Sequence, residues 1–193
     1  MSAAAPPRAL LVVIDLQEIF ANPQSEWYSP GFSSILDPVD ALVAAYAPHV
    51  VFTRFVAPLA PLDAWRAYYE RYPFALVAPE DPAYALIERY GAHRSESLET
   101  TTFSKWVPGL IERCAPETTL VLAGVTTDCC VLATALQAAD AGRAVRVVRE
   151  ACAGVNDESH AQALALMQLF SPLVEAVDLD AALELAARRA SAP

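Results

Sequence analysis

The sequence predicts an α/β protein with a mainly parallel sheet covered by helices on both faces. Three observations carry this. Short apolar runs recur along the chain. Segments with helical spacing lie between them. Polar residues or glycines stand where the runs stop. Strands alternating with helices imply right-handed βαβ crossovers, which bury a parallel sheet on both faces.

The elements follow in order. Residues 9–14 form a continuous apolar run that stops at Asp15, the pattern of a strand buried on both faces. Further strands are expected at 50–53, at 119–123 before Gly124, at 144–148 and at 173–177. Helices are expected at 38–46 and 82–90, where apolar residues recur at helical spacing. An Ala/Leu/Val-rich helix should run from 128 to 141 and stop at Gly142, a natural C-cap. Asn156-Asp157-Glu158 suits the N-terminus of a helix reaching 170. Asp178 or Asp180 caps a last helix through Arg189. Residues 57–82, rich in proline and aromatics, suit a short helix and loop over the sheet edge, as a lid or subunit contact. A single domain spanning 1–193 is expected, with flexible ends at 1–8 and 190–193.

Composition narrows the function classes. At 55% hydrophobic residues the chain is not disordered. A net charge of −10 argues against nucleic acid. No apolar run approaches the ~20 residues of a membrane helix, and the N-terminus does not read as a signal peptide, so a cytoplasmic location is expected. Cys114, Cys129, Cys130 and Cys152 are expected as free thiols. His49, His93 and His160 lie far apart and pair with no cysteine at metal-ligand spacing.

In an open α/β sheet, ligands bind beyond the carboxyl ends of the strands. Asp15 falls at such a place, and so do Cys129 and Cys130, in the turn after the strand that stops at Gly124. Lys105, the only lysine in the chain, lies shortly before that strand. Each has an ordinary alternative: an Asx-turn, a small buried hydrophobe, a solvated cation. Together they suggest a thiol activated by a helix N-terminus and an ammonium, with a carboxylate as proton acceptor. A compact ammonium fits between thiolate and carboxylate better than a forked guanidinium.

Asp15 within Ile14-Asp15-Leu16-Gln17, together with Gly124-Val125-Thr126-Thr127-Asp128-Cys129-Cys130-Val131, resembles the isochorismatase-like cysteine hydrolases. That group includes nicotinamidases, N-carbamoylsarcosine amidase and isochorismatases. The resemblance spans roughly 10–177 and matches the middle of the chain only loosely. It implies a three-layer α/β/α, Rossmann-like fold with about six strands. It implies an Asp15–Lys105–Cys130 triad, with Cys130 rather than Cys129 as nucleophile because it directly precedes Val131. It also implies a cis peptide between Val125 and Thr126, and an oxyanion hole made by the backbone N–H groups of Thr126 and Cys130.

The lysine departs from the family pattern. If residues 103–106 match the family's Ser-Ala-Phe-like segment, its usual place is Thr100. Lys105 is therefore expected to reach the site from a shifted position; the alternative is an incomplete triad. Residues 53–58 hold neither Asp nor His, so no metal is expected, and no other cofactor.

The expected function is hydrolysis of a C–N bond in a small amide, carbamoyl or ureido compound through a thioester. The alternative is a catalytically silent member that binds a small molecule or a partner protein. Phe20, Trp27, Tyr28, Phe55, Trp106 and Phe170 are candidate pocket walls, with core packing the alternative for each. Arg54 is a candidate for a substrate carboxylate. The expected partners are a small-molecule substrate and copies of the same chain in a homodimer or homotetramer, with neither nucleic acid nor membrane.

Overall fold

The structure, a computed structural model, describes residues 9–190; of the ends expected to be flexible, 1–8 and 190–193, residues 1–8 and 191–193 lie outside the described residues, and Ala190 closes the last helix. The described residues form a six-stranded parallel sheet in the order β3-β2-β1-β4-β5-β6. The strands are β1 (Ala9–Ile14), β2 (Val50–Phe55), β3 (Leu98–Thr100), β4 (Thr119–Val125), β5 (Val145–Ala153) and β6 (Val174–Val177). The helices are α1 (Glu18–Ala21), α2 (Leu36–Tyr46), α3 (Ala64–Arg71), α4 (Pro108–Ile111), α5 (Leu132–Asp140), α6 (Asp157–Gln168) and α7 (Leu179–Ala190).

Strand alternation divides the core into two layers. On one face of β1, Leu11 and Val13 pack with Val39 and Leu42 of α2 and with Ala182 and Ala186 of α7. On the other, Leu10, Val12 and Ile14 pack with Leu110 of α4, Ala135 and Ala138 of α5, and Ala163 and Met167 of α6. All six residues of β1 are buried, which is why its run is continuously apolar. Gly124, at φ +113, lies so close to β1 that a Cβ would come within 2.1 Å of the Ile14 carbonyl oxygen. Only glycine allows the two strands to end side by side there.

Chain direction sets the site. From β1 the chain builds the sheet outward through β2 and β3, then returns to β4 on β1's other side. Such a switch point opens a crevice at the carboxyl ends of the two central strands.

Three local expectations differ from the structure. Residues 82–90 form two short 3₁₀ turns, Pro82–Tyr84 and Glu88–Glu96, rather than one helix. Leu86, between them, bridges to Gln17; the Ala85 carbonyl accepts from Glu18 N–H, and Ile87 N–H donates to the Leu16 carbonyl. The backbone groups a helix would use are taken by the chain leaving β1. β5 runs to Ala153, not 148, because pairing resumes after an irregularity at Leu122/Gly124, with Gly124 opposite Cys152. The exposed Arg149 and Glu150 fall in that irregularity. Finally, five residues of π-helix, Thr127–Val131, precede α5.

Candidate active site

Asp15 is the first residue beyond β1 and is wholly buried. Its φ of 53 is left-handed, an uncommon conformation for a residue other than glycine. Local hydrogen bonds hold it. Thr53 Oγ1 donates to Asp15 Oδ1 at 2.7 Å and accepts from Asp15 N–H at 3.3 Å. Two residues on, the buried Gln17 amide donates to the Phe55 and Tyr84 carbonyls at 2.9 and 2.8 Å and accepts from Phe55 N–H at 2.8 Å. The end of β1 is thereby pinned to the end of β2.

The remaining Asp15 oxygen, Oδ2, faces Lys105 Nζ at 2.7 Å, and both side chains have zero exposure. Lys105 Nζ also donates to Thr100 Oγ1 at 2.9 Å and the Thr102 carbonyl at 3.2 Å. The ammonium thus has two hydrogen-bond acceptors besides its ion-pair partner. Nζ lies 5.4 Å from the centroid of the Phe55 ring. The lysine side chain runs back along the loop after β3, so its ammonium arrives beside the Thr100 hydroxyl. A residue five positions later delivers the charge to the place where Thr100 stands.

Backbone contacts tie this pair to the cysteine turn. Lys105 N–H donates to Thr134 Oγ1 at 2.9 Å, and that hydroxyl donates to the Cys130 carbonyl at 2.7 Å. The Val125–Thr126 peptide is cis. The N–H groups flanking Cys130, those of Cys129 and Val131, both donate to the Thr126 carbonyl at 3.1 Å. Asp128 Oδ1 accepts from Val155 N–H at 2.9 Å. It lies against Gly154, where a Cβ would approach it to 2.8 Å.

Interaction with the neighbouring Cys130 side chain lowers the Cys129 thiol pKa below its ordinary value. The same interaction raises the Cys130 thiol, burial raises it further, and the Lys105 ammonium offsets part of the rise.

A cavity of about 450 Å³ opens above this floor. Cys129, Cys130 and Thr126 line it, with Asp128 and Val155 at one side. Among the expected wall residues, Phe20, Trp27, Tyr28 and Phe55 line it. Tyr68, Tyr72, Phe103 and Glu26 also line it and were not expected. Tyr68 and Tyr72 come from α3 and its C-terminal cap, the proline- and aromatic-rich segment thought to be a lid or contact. Burial, followed by the nearby Cys129, pushes the Tyr68 phenol well above its ordinary pKa.

Three expected wall residues lie elsewhere. Arg54 belongs to β2 and pairs in register with Glu99 of β3. It donates to Glu99 Oε2 at 2.8 Å, Ser97 Oγ at 3.1 Å and the Tyr84 carbonyl at 3.2 Å, so it is not open to a substrate carboxylate. Strand alternation turns the next residue, Phe55, to the cavity instead. Trp106 packs in the α4–α5–α6 layer, with the Arg143 guanidinium 5.8 Å from its ring. Phe170 is 43% exposed in the loop before β6, at the opposite end of the sheet.

A sequence model of the isochorismatase domain matches residues 9–178. The chain belongs to the isochorismatase family. Solved structures share its fold. A cysteine hydrolase from Pseudomonas syringae pv. phaseolicola 1448A superposes with a TM-score of 0.79 at 19% identity, covering 98% of this chain and 100% of that one. An isochorismatase family protein from Desulfovibrio vulgaris subsp. vulgaris str. Hildenborough gives 0.73 at 19% identity, covering 94% and 100%. A nicotinamidase/pyrazinamidase from Bacillus subtilis gives 0.68 at 24% identity, covering 87% and 99%. At these identities the likeness is one of fold. A search of curated proteins finds no match.

For this isochorismatase-family chain, a resident divalent ion does not fit the donor set. Such an ion needs several His, Asp or Glu side chains converging. The residues following β2 include Val56 and Ala57, both buried in the apolar core. Among the described residues no group of three or more His, Cys, Asp or Glu is placed to hold a metal.

Proposed function

We propose that this protein is a metal-independent amidohydrolase that cleaves a C–N bond of a small amide, carbamoyl or ureido compound through a thioester on Cys130. The observation that supports it most is the wholly buried Asp15–Lys105 pair, 2.7 Å apart, beneath a cavity lined by Cys130. Burying two charges costs several kcal/mol per ion after relaxation. A purely structural role would be served as well by apolar side chains. A carboxylate and an ammonium that act electrostatically on a thiol lining a cleft are the parts of an acid–base and nucleophile set.

In this reading the Cys130 thiol gives its proton to Asp15, and the sulfur attacks the substrate carbonyl carbon. The Thr126 and Cys130 backbone N–H groups hold the oxyanion. Asp15 passes the proton to the departing nitrogen, the C–N bond breaks, and ammonia or an amine leaves. Asp15 then takes a proton from water, whose oxygen attacks the thioester. The C–S bond breaks, the acid leaves, and the sulfur regains its proton from Asp15. Lys105 balances the negative charge, so that carboxylate and forming thiolate do not clash unopposed.

The test is ammonia release from a panel of small amides, carbamoyl and ureido compounds, with acid-quenched samples weighed intact for an acyl adduct. Turnover with an adduct mapped to Cys130 is expected. Ligand binding without turnover or adduct across the panel would overturn the reading in favour of a silent binder.

A further inference from the structure

We infer that the cavity selects a small amide carrying a positive charge, as a quaternary or protonated ammonium. The inference rests on the amidohydrolase reading and names the substrate class of that site.

Seven of the thirteen cavity-lining residues are aromatic, so most of the wall is ring surface. Trp27 stands at its centre, stacked on Phe20 at 6.1 Å with Phe55 and Tyr72 each 5.7 Å away. Indole and phenol faces are electron-rich and attract cations, which is how aromatic cages hold quaternary ammonium groups.

The charged side chains point the same way. Lys and Arg are absent from the lining, whereas Glu26 and Asp128 belong to it. Asp128 is engaged by Val155 N–H. Glu26 is exposed and takes part in no ion pair among the described residues. Lys105 is committed to Asp15, Thr100 and Thr102, and Arg54 to Glu99, while Arg71 lies over the Tyr72 ring at 5.5 Å and is not part of the lining. An anionic substrate would thus give up its hydration and meet a carboxylate without a cation, a costly exchange. A cationic one meets ring faces and Glu26, and the net charge of −10 favours its approach.

Three amides of similar size separate charge from shape. 2-(Trimethylammonio)acetamide is the cation, 3,3-dimethylbutanamide is its neutral isostere, and malonamate is an anion. Ammonia release by the full chain gives kcat/KM, and calorimetry on Cys130→Ala gives binding alone. The cation is expected to exceed its isostere about tenfold in kcat/KM and in affinity, with malonamate not detectably used. Glu26→Gln, a substitution on an exposed side chain, should narrow the ratio of cation to isostere. Trp27→Leu should narrow it further if the variant folds. A neutral isostere used as well as the cation, or malonamate preferred, overturns the inference and leaves the hydrolase reading standing. Cation-selective binding to Cys130→Ala without ammonia release from any amide overturns the hydrolase reading and leaves the cation site. Absence of both binding and turnover for all three overturns the inference.

Discussion

Replacing Lys105 with methionine tests whether the ammonium serves the site or is merely enclosed. The substitution keeps a long apolar stem and removes the charge. It leaves Asp15 Oδ2 without its one ionic partner in a place of zero exposure, and Thr100 Oγ1 and the Thr102 carbonyl each lose a donor. Removing one member of a buried pair costs about 3–5 kcal/mol. For a chain of this length that is a fall in melting temperature of roughly 6–20 °C. Loss of the cation also disfavours the Cys130 thiolate, so alkylation at Cys130 near neutral pH should slow by about tenfold or more. Turnover should fall by orders of magnitude. Lys105→Arg should fail as well, since a planar fork does not fit a site built around three convergent acceptors.

The geometry offers a rescue. Because Nζ ends beside the Thr100 hydroxyl, a lysine at 100 can bring its own ammonium to Asp15. The double variant Thr100→Lys/Lys105→Met should regain melting temperature and Cys130 reactivity relative to Lys105→Met. Differential scanning calorimetry and peptide-mapped iodoacetamide labelling read both effects without knowledge of the substrate. If Lys105→Met melts and labels like the parent, the charge-balance argument is wrong. A double variant no better than the single one would show that position 100 does not open on the same site.

Four further outcomes are expected. Cys130→Ala should abolish turnover while Cys129→Ala keeps most of it, since neighbours at a helix start differ in direction by about 100°; full activity of Cys130→Ala would refute the assignment. Iodoacetamide near neutral pH should label Cys129 before Cys130, because the interaction of the two side chains lowers the Cys129 thiol and raises the buried Cys130; in Cys130→Ala that interaction is gone and Cys129 labelling should slow. Exhaustive chelation should leave activity unchanged, and metal lost together with activity would contradict the donor-set argument. Burial lowers the His160 pKa against the opposing pull of Asp157 and Asp128, so the folded chain binds that proton less tightly than the unfolded one. Stability should then fall as pH drops below about 6.5, and His160→Gln should flatten that part of the curve.

What the sequence made legible, and what it did not, follows from where each residue's position is decided. Asp15 stands directly after β1 and Cys130 in the turn that follows β4; the apolar runs mark where both strands end, so a local pattern located both. Lys105 drew notice as the one lysine, but its path past Thr100 depends on β3, a three-residue strand that exists only because β2 offers it an edge. Arg54 shows how little separates wall from scaffold. Arg54 interrupts the apolar run after Thr53, yet β2 continues to Phe55. Those two residues send the arginine to Glu99 and the phenylalanine to the cavity. Tyr68, Tyr72 and Phe103 carry no motif, since their place is set by how the loops fold over the sheet. The division has a chemical consequence. The proposed reacting groups lie at or just beyond the carboxyl ends of strands, close to what the sheet fixes; the proposed walls come largely from connecting segments. Substitutions in residues 63–75 should therefore change which amide is accepted while leaving the Asp15–Lys105 pair intact, a separation that melting temperature and substrate ratios measure independently.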